Sequence, residues 1–191
     1  MPSPDTASAN IAKMDTKLSK FISLVLRHKP DEIGLTLDAN GWANVAELIK
    51  KANNHKFTFS LEDLQRVVAE NDKKRFSFSE DGKKIRANQG HSIEVDLALE
   101  AAVPPPVLYH GTATRFLGLI MHEGLKPMAR HAVHMTENKD TAVATGQRHG
   151  SPIVLVIDAA RMSLDGIEFQ RSANGVWLTP HVEPMYITIG G

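Results

Sequence analysis

The stretch "RFSFSEDGKKIRANQ", residues 75–89, alternates apolar and polar residues on both sides of Asp81-Gly82. An Asp-Gly pair between two alternating runs is the strongest short-range signal for a β-hairpin, because both residues tolerate the backbone angles of a tight turn. The sequence therefore predicts a two-stranded hairpin at this point.

The first helical pattern lies well before the hairpin. From Lys17 to Arg27 the apolar residues recur at helical spacing, and the pattern stops before Pro30, which disfavours helix at the residue before it. The stripe consists of Leu18, Phe21, Ile22, Leu24, Val25 and Leu26. We therefore predict an amphipathic helix with Arg27, His28 and Lys29 at its end.

Capping patterns indicate two further helices. "NVAELIKKAN", residues 44–53, has Glu47 three residues after Asn44, and "SLEDLQRVVAEND", residues 60–72, has Asp63 three residues after Ser60. A side chain at the first of these positions can accept a hydrogen bond from the free backbone amides of the first helical turn. Helices followed by a hairpin predict a winged-helix-like unit over residues 15–92.

The sequence changes in character after the hairpin. "VDLALEAAVPPPV", residues 95–107, contains three consecutive prolines, which continue neither a helix nor a central strand. We predict a linker over residues 93–106, followed by a mostly β region over residues 107–191 with one or two helices. The strand-like runs are 107–112, 132–136, 152–158, 176–179 and 185–189, and the clearest helical run is 114–124. The predicted fold is therefore α+β with two lobes.

The composition excludes several classes of protein. The chain has no cysteine, which excludes disulfides and thiolate metal sites and favours a reducing, cytoplasmic location. No apolar run approaches the roughly 20 residues that cross a bilayer, so we expect no membrane association. The polar residues 1–14 predict a disordered tail and not a secretory signal. The formal net charge is zero, so any binding of nucleic acid must come from local clusters.

Basic and polar residues form three such clusters in the first half. They are Arg27-His28-Lys29, Lys73-Lys74-Arg75, and Arg86 with Gln89, His91 and Ser92. Each cluster alone is also typical of solvated surface charge, and cations at a helix end interact favourably with the helix dipole. Because all three lie at the ends of predicted elements, they could instead converge on a phosphate or on an RNA backbone. The residues alone leave both interpretations open.

The second half contains a histidine at a strand end, in His110-Gly111-Thr112. A lone histidine on a strand is commonly structural, but here backbone amides and a hydroxyl lie beside the imidazole. A metal site is the competing interpretation, because His131 and His134 could add two imidazoles. These two histidines lie three apart on an extended segment and would point to opposite faces. No carboxylate has a ligand spacing either, so we expect no metal.

Together the motifs resemble a known family. "LSKFISLVLRHKP", "GLTLDANGW", "ENDKKRFSF", "IRANQGHS", "LYHGT", "GLKPMARHAVHMT" and "NGVWLT" occur here in the order found in the tRNA 2′-phosphotransferase family, from about Lys17 onward. The second-half motifs separately resemble the ADP-ribosyltransferase fold. The resemblance implies a winged-helix RNA lobe and an ADP-ribosyltransferase-like lobe that binds NAD.

The resemblance also implies a reaction and its residues. The enzyme would remove an internal RNA 2′-phosphate, as at a tRNA splice junction, and would consume NAD as a co-substrate without a metal. The implied catalytic residues are Arg27, His28, Arg75 and Arg130. The implied NAD-binding residues are His110, Gly111, Thr112, His134, Thr136 and Arg148. The residues expected to contact RNA are Lys20, Lys73, Lys74, Gln89, His91 and Ser92. We expect the protein to act as a monomer.

The alternative activity is ADP-ribosylation of a nucleic-acid or protein acceptor without removal of phosphate. Relatives that modify proteins often have a glutamate late in the fold, whereas Val176 stands in the corresponding motif of this sequence. Glu168 and Glu183 lie nearby but outside the motif. This departure disfavours protein ADP-ribosylation. A simple RNA-binding module would leave the second-half motifs unexplained.

Overall fold

The computed structural model describes residues 4–55 and 57–190. The chain divides into two compact units, residues 1–98 and 99–191. Each unit combines helices with a small antiparallel sheet or sheets, so the α+β class is confirmed. Within the described residues, no helix combines the length and apolar composition that crossing a bilayer requires.

Within the described residues, the first unit contains three α-helices and one three-stranded sheet. Its elements are α1 (Pro4–Arg27), β1 (Ala43–Asn44), α2 (Val45–Asn54), α3 (Leu61–Ala69), β2 (Phe76–Phe78) and β3 (Lys84–Ala87). The predicted hairpin is confirmed, since β2 pairs with β3 in antiparallel register and the sheet order is β1-β3-β2. Gly82 adopts a positive φ of 68° in the turn, and the Asp81 carboxylate accepts hydrogen bonds from Ser79 and Lys83.

Side chains cap α2 and α3 as the sequence predicts. The Asn44 side chain accepts a hydrogen bond from the Glu47 amide at 3.0 Å. Ser60 and Asp63 form a full capping box, in which each side chain bonds the backbone amide of the other residue. Glu47 does not complete the same box at α2, because its carboxylate pairs with Lys51 at 2.6 Å.

The core of the first unit forms where α1 packs against α2, α3 and the sheet. Leu18, Ile22, Val25 and Leu26 are fully buried, in contact with the apolar faces of the other elements. Leu24 was predicted in the same stripe but is 36% exposed, because it lies on the opposite side of the helix. The apolar face therefore holds α1 in place and leaves its polar face available.

Helix α1 begins earlier than the sequence predicts. Residues 4–14 are helical and continue into the packed part of α1, whereas we predicted a disordered tail over residues 1–14. Extending an existing helix adds one hydrogen bond per residue without a new nucleation step, and Ala9 and Ala12 have high helix propensity. Residues 1–3 lie outside the described part of the chain.

The second unit contains two three-stranded sheets and three helices within the described residues. Its elements are β4 (Val107–Ala113), α4 (Leu117–Glu123), β5 (Val133–Met135), α5 (Lys139–Gln147), β6 (Pro152–Asp158), α6 (Ala159–Leu164), β7 (Gln170–Arg171), β8 (Trp177–Thr179) and β9 (Ile187–Gly190). The strand orders are β4-β6-β9 and β5-β8-β7. The predicted strands are present, but one or two helices were expected where three occur.

Helix α5 was missed because it packs through small residues. Its buried residues are Ala142 and Gly146, so it has no apolar stripe that a periodicity search would detect. The helix lies so close to β4 that a Cβ at Gly111 would overlap the carbonyl oxygen of Ala142. A Cβ at Gly146 would lie 2.5 Å from the carbonyl oxygen of Thr112. Two glycines therefore permit this helix–strand contact.

The predicted linker, residues 93–106, is divided between the units. The Asp96 amide donates to the Ala39 carbonyl in the first unit, and the Asn40 side chain donates to the Asp96 carbonyl at 2.7 Å. The Ala102 amide donates to the Phe169 carbonyl in the second unit. The segment is thus bonded to one unit up to about residue 98 and to the other unit from about residue 99.

Candidate active site

A cleft in the first unit gathers several of the predicted catalytic and RNA-contacting residues. It has a volume of about 760 Å³ and lies between the polar face of α1 and the turn that connects α3 to β2. Arg27, His28 and Arg75 all line it, together with Lys20 and Lys73. The structure therefore brings together three of the four predicted catalytic residues, although they lie up to 48 positions apart in the sequence.

Carboxylates limit the basic part of this cleft. Asp15, Glu70 and Asp72 also contribute to its lining. Asp15 is paired with Arg66 at 2.8 Å, so part of this negative charge is neutralised within the protein. Arg27 lies twelve residues after Asp15 on α1, about 18 Å further along the axis. The Arg27 end of the cleft therefore lies well away from the paired Asp15.

Residues after the hairpin support the end of α1. The Ser92 amide donates to the Arg27 carbonyl at 2.9 Å. Gly90 has a φ of 88°, and a Cβ at that position would lie 3.7 Å from the Arg27 guanidinium. The guanidinium also lies 5.9 Å from the centre of the Phe76 ring. Arg27 is thus held between the hairpin and the segment that follows it.

The imidazole of His28 is oriented by a hydroxyl. His28 Nδ1 lies 2.8 Å from Ser92 Oγ, across 64 positions of sequence. A partner on one ring nitrogen fixes the orientation of the ring. We predicted that Ser92 contacts RNA, and the structure shows that it contacts Arg27 and His28.

The other predicted RNA-contacting residues differ in exposure. Lys73 and Lys74 are exposed in the turn between α3 and β2, and Gln89 is half-buried. His91 is only 4% exposed, and its ring packs within van der Waals distance of where a Cβ would stand at Gly41. His91 therefore packs against the turn that contains Asn40 and Gly41, and a direct contact of its side chain with RNA would require local opening.

In the second unit, two histidines and an arginine form a hydrogen-bonded group. His110 Nδ1 lies 2.8 Å from the carbonyl oxygen of His134, and His134 Nδ1 lies 2.9 Å from an Arg130 guanidinium nitrogen. A carbonyl can only accept and a guanidinium can only donate. His110 therefore carries its proton on Nδ1, which leaves Nε2 as an acceptor, while His134 is protonated on Nε2.

The same environment keeps His110 neutral. Burial lowers the pKa of His110; the hydrogen bond to the His134 carbonyl opposes this effect, and the charges of Arg130 and His149 add to it. Burial, and secondarily the positive charge of Arg148, also lower the pKa of Arg130. The guanidinium nevertheless stays charged at neutral pH. The group thus presents a neutral imidazole close to a fixed positive charge.

Backbone pairing brings the remaining predicted NAD-binding residues near this group. Tyr109 and Thr136 exchange two backbone hydrogen bonds of 2.8 and 2.9 Å, which joins β4 to β5 beside His110 and His134. Gly111 and Thr112 continue β4 and are buried below α5, and Arg148 directly follows α5. The structure therefore places Thr136 beside the histidines and Arg148 close enough to Arg130 to lower its pKa, while Gly111 supports the packing of α5.

A glutamate that sequence reasoning missed lies against β8. Glu137 accepts a hydrogen bond from the Trp177 indole at 2.7 Å and pairs with Arg171 at 3.3 Å. Its carboxylate therefore bonds Trp177, the residue that follows Val176 in the motif where the sequence lacks a glutamate. Glu137 lies 40 positions before Trp177 in the sequence, and the pairing of β5 with β8 brings the two residues together. The sequence alone therefore did not reveal this contact.

Comparisons with known proteins identify the family of this chain. The sequence matches the family described as RNA 2′-phosphotransferase, Tpt1 / KptA family, over residues 13–181. The chain belongs to this family. It is 54% identical over 176 residues to a "Probable RNA 2′-phosphotransferase" from Agrobacterium fabrum, covering 92% of this chain and 95% of the relative. A protein of the same name from Acaryochloris marina is 55% identical over 176 residues, covering 91% and 97%. A third, from Streptomyces coelicolor, is 52% identical over 171 residues, covering 90% and 93%.

The family match includes residues of both units of this RNA 2′-phosphotransferase family member. Arg27, His28 and Arg75 belong to the first unit, and Arg130 belongs to the second, where it is bonded to His134. The zinc-site alternative required His110, His131 and His134. Across residues 4–55 and 57–190, no three histidine, aspartate or glutamate side chains are grouped so that they could hold a metal ion.

We predict that the neutral His110 makes stability depend on pH. The lowered pKa means that the unfolded chain takes up a proton near pH 6.5 while the folded chain does not, so stability is lost as the pH falls below about 6.5. The slope from this residue is at most about 1.4 kcal/mol per pH unit. In His110→Asn, the side-chain amide can replace the Nδ1 donor but does not take up a proton. Its melting temperature should therefore fall less steeply from pH 8 to pH 5 than that of the parent protein.

The exposed His122 provides the matched control. His122→Asn should retain the pH dependence of the parent protein. Equal slopes for the parent protein and His110→Asn would show that His110 is not the group responsible.

Proposed function

We propose that this chain transfers an internal RNA 2′-phosphate to NAD. The products would be RNA with a 2′-hydroxyl, ADP-ribose 1″,2″-cyclic phosphate and nicotinamide. The observation that carries the proposal is the common cleft of Arg27, His28 and Arg75 in a chain that belongs to the RNA 2′-phosphotransferase family.

The first unit supplies the phosphate site in this proposal. A guanidinium presents a planar set of donors that matches the oxygens of a phosphate, and the Arg27 and Arg75 side chains both line the cleft. Lys20 and Lys73 line the same cleft and are suited to the neighbouring RNA phosphates. We assign a winged-helix-like character to this unit because its three helices precede the β2–β3 hairpin.

The second unit supplies the NAD site. His110 Nε2 is an acceptor, which suits a ribose hydroxyl, and Arg130 and Arg148 carry the positive charge that a dinucleotide requires. Two small sheets with helix α5 packed closely on β4 support the ADP-ribosyltransferase-like assignment. The resemblance of "LYHGT" and "VHMT" to that fold, stated from the sequence, points to the same residues.

The reaction has two steps. In the first, an oxygen of the RNA 2′-phosphate attacks the anomeric carbon of the nicotinamide ribose, and the bond to nicotinamide breaks. A phosphate is already a nucleophile and requires alignment more than activation, so positioning by the arginines supplies the main effect. The intermediate is RNA that carries 2′-phospho-ADP-ribose.

In the second step, the ribose 2″-hydroxyl attacks the phosphorus and the RNA 2′-oxygen leaves. The hydroxyl loses a proton and the leaving oxygen gains one, and we assign proton transfer in this step to His28, whose imidazole lines the cleft. Negative charge accumulates on the phosphoryl oxygens, where a guanidinium such as that of Arg75 would stabilise it as an arginine finger does.

A direct assay tests the proposal against the alternative activity. The protein is incubated with NAD and an oligonucleotide that carries one internal 2′-phosphate. Formation of 2′-hydroxyl RNA and ADP-ribose 1″,2″-cyclic phosphate supports it. An ADP-ribosylated acceptor that keeps its phosphate would instead identify an ADP-ribosyltransferase. Binding of the oligonucleotide with no consumption of NAD would identify an RNA-binding module.

We predict that the two steps can be separated by mutation. Arg75→Lys keeps the positive charge but loses the planar donor pair, so the phosphate still docks while its transition state is poorly stabilised. The second step should therefore slow more than the first. Gel electrophoresis of a labelled oligonucleotide should show an adduct larger than the substrate, which converts slowly to product. His28→Ala should behave in the same way.

Lys20→Arg is the matched control, because it changes a cation in the same cleft without altering the proposed reacting residues. It should not accumulate the adduct. If Arg75→Lys and His28→Ala slow both steps equally and no adduct forms at any time, this division of roles is wrong.

A further inference from the structure

A buried asparagine next to the cleft has no assigned role. Asn88 directly follows β3 and is 3% exposed. Its side-chain amide donates to the Lys74 carbonyl at 2.6 Å, and its side-chain oxygen accepts a hydrogen bond from the Ser77 hydroxyl at 2.8 Å. Its backbone amide donates to the Arg75 carbonyl at 2.9 Å. Asn88 therefore bonds three residues of the segment 74–77, which contains Arg75.

These contacts lie on both sides of the Arg75 Cα atom. The Lys74 carbonyl belongs to the peptide group before Arg75, and the Arg75 carbonyl belongs to the peptide group after it. Both carbonyls bond to Asn88, one through its side chain and one through its backbone. Since the two peptide planes define φ and ψ of Arg75, Asn88 restricts the direction in which the Arg75 side chain leaves the backbone.

The turn also contains an unfavourable backbone conformation. Lys74 has a φ of 40°, in the left-handed region that side-chain-bearing residues rarely adopt. Asn71 holds the other side of the turn, because its carbonyl accepts from the Lys74 amide at 2.8 Å and its side chain accepts from the Lys73 amide at 3.1 Å. The Asn88 amide bonds the carbonyl of the strained residue itself. Without that bond, the turn can relax toward a more favourable φ.

We propose that Asn88 is a positioning residue that maintains the Lys74 conformation and thereby directs Arg75 into the cleft with Arg27 and His28. The inference rests on the proposed function in so far as Arg75 contacts the phosphate. The geometry of the turn can be tested without any turnover.

The first test measures the turn itself. In Asn88→Ala, the amide hydrogen of Lys74 should exchange with solvent at least about tenfold faster than in the parent protein, since the turn that protects it is loosened. The matched control is Asn40→Ala, because Asn40 also donates its side-chain amide to a backbone carbonyl of the first unit, that of Asp96. Asn40→Ala should leave Lys74 exchange unchanged.

The second test is a double-mutant cycle on kcat/KM for the 2′-phosphorylated oligonucleotide. Asn88→Ala should lower kcat/KM by up to about 100-fold, the effect expected for an arginine displaced by about 1 Å. Glycine adopts a positive φ without strain, so Lys74→Gly should make the turn less dependent on Asn88. In the Lys74→Gly background, Asn88→Ala should cost less than about tenfold.

Ser77→Ala provides a milder variant if Asn88→Ala does not fold. It removes the hydroxyl that orients the Asn88 amide, and it should produce smaller changes of the same sign in both measurements. Asn40→Ala should stay within about twofold of the parent kcat/KM.

The outcomes separate the inference from the function on which it rests. An equal loss from Asn88→Ala in both backgrounds, or unchanged exchange of Lys74, would overturn the positioning role. A parent protein that does not act on 2′-phosphorylated RNA would refute the proposed function. The exchange rates of the Lys74 amide in the parent protein and in Asn88→Ala would still decide whether Asn88 holds the turn.

Discussion

Replacing Arg27 by alanine should lower the turnover of 2′-phosphorylated RNA by about 30- to 1,000-fold while the protein stays folded. The loss of one charged contact to the reacting phosphate corresponds to about 2–4 kcal/mol of transition-state stabilisation. The fold should be preserved because the hydrogen bond from Ser92 uses the Arg27 backbone carbonyl, which alanine keeps. Single-turnover rates measure the first effect, and melting temperatures measure the second.

Arg75→Ala and Arg130→Ala should show losses in the same range. Arg115→Ala is the matched control, because Arg115 also lies over an aromatic ring, that of Phe116 at 4.7 Å, but has no proposed part in the reaction. Its turnover should stay close to that of the parent protein. Near-normal turnover in any of the three proposed variants would remove that arginine from the active site.

Gly111→Ala should prevent stable folding of the second unit. A Cβ there would meet the backbone of Ala142, and neither the strand nor the helix has a flexible side-chain end that could move aside. Overpacking of a tight interior commonly costs about 1–3 kcal/mol, and overlap with a backbone carbonyl should exceed that range. Trp177 is buried in this unit, so its fluorescence reports unfolding of the second unit. Trp42 in the first unit is replaced by phenylalanine so that it does not contribute to the signal.

Gly118 in α4 is the control for this prediction. A Cβ at Gly118 would have no atom within 4 Å, so Gly118→Ala should be neutral or should stabilise the helix by up to about 1 kcal/mol. A Gly111→Ala protein that melts at the parent temperature would show that α5 can move away from β4 without cost.

The parts of the fold that the sequence predicts are those with local signals. The Asp81-Gly82 hairpin and the Ser60 cap depend on residues only a few positions apart, and both are present in the structure. Helix α5 depends on contact with a strand about 30 positions earlier, which is made through glycines, so its sequence lacks a hydrophobic pattern. Tertiary contact, not propensity, determines this element.

The candidate site likewise has a part that the sequence predicts and a part that depends on distant contacts. The convergence of Arg27, His28 and Arg75 follows from their positions at element ends, and the cleft brings them together. The supporting contacts could not be predicted, because they join distant positions. Ser92 bonds His28 across 64 residues, and Asn88 bonds Lys74 across 14. A hydroxyl or an amide in a loop carries no periodic signal that would reveal such a partner.

The two hydrophobic cores come from separate stretches of the chain, one from residues 18–87 and the other from residues 108–187. During synthesis the first core can therefore assemble while the ribosome is still making the second unit, as domains of larger proteins commonly do. The sheet β4-β6-β9 cannot be completed until its third strand, Ile187–Gly190, has been synthesised, and this strand is the last of the described elements. An interrupted or damaged second unit would thus leave a folded fragment that keeps the cleft of Arg27, His28 and Arg75. Under the proposed function, such a fragment would bind phosphate-bearing RNA without turning it over.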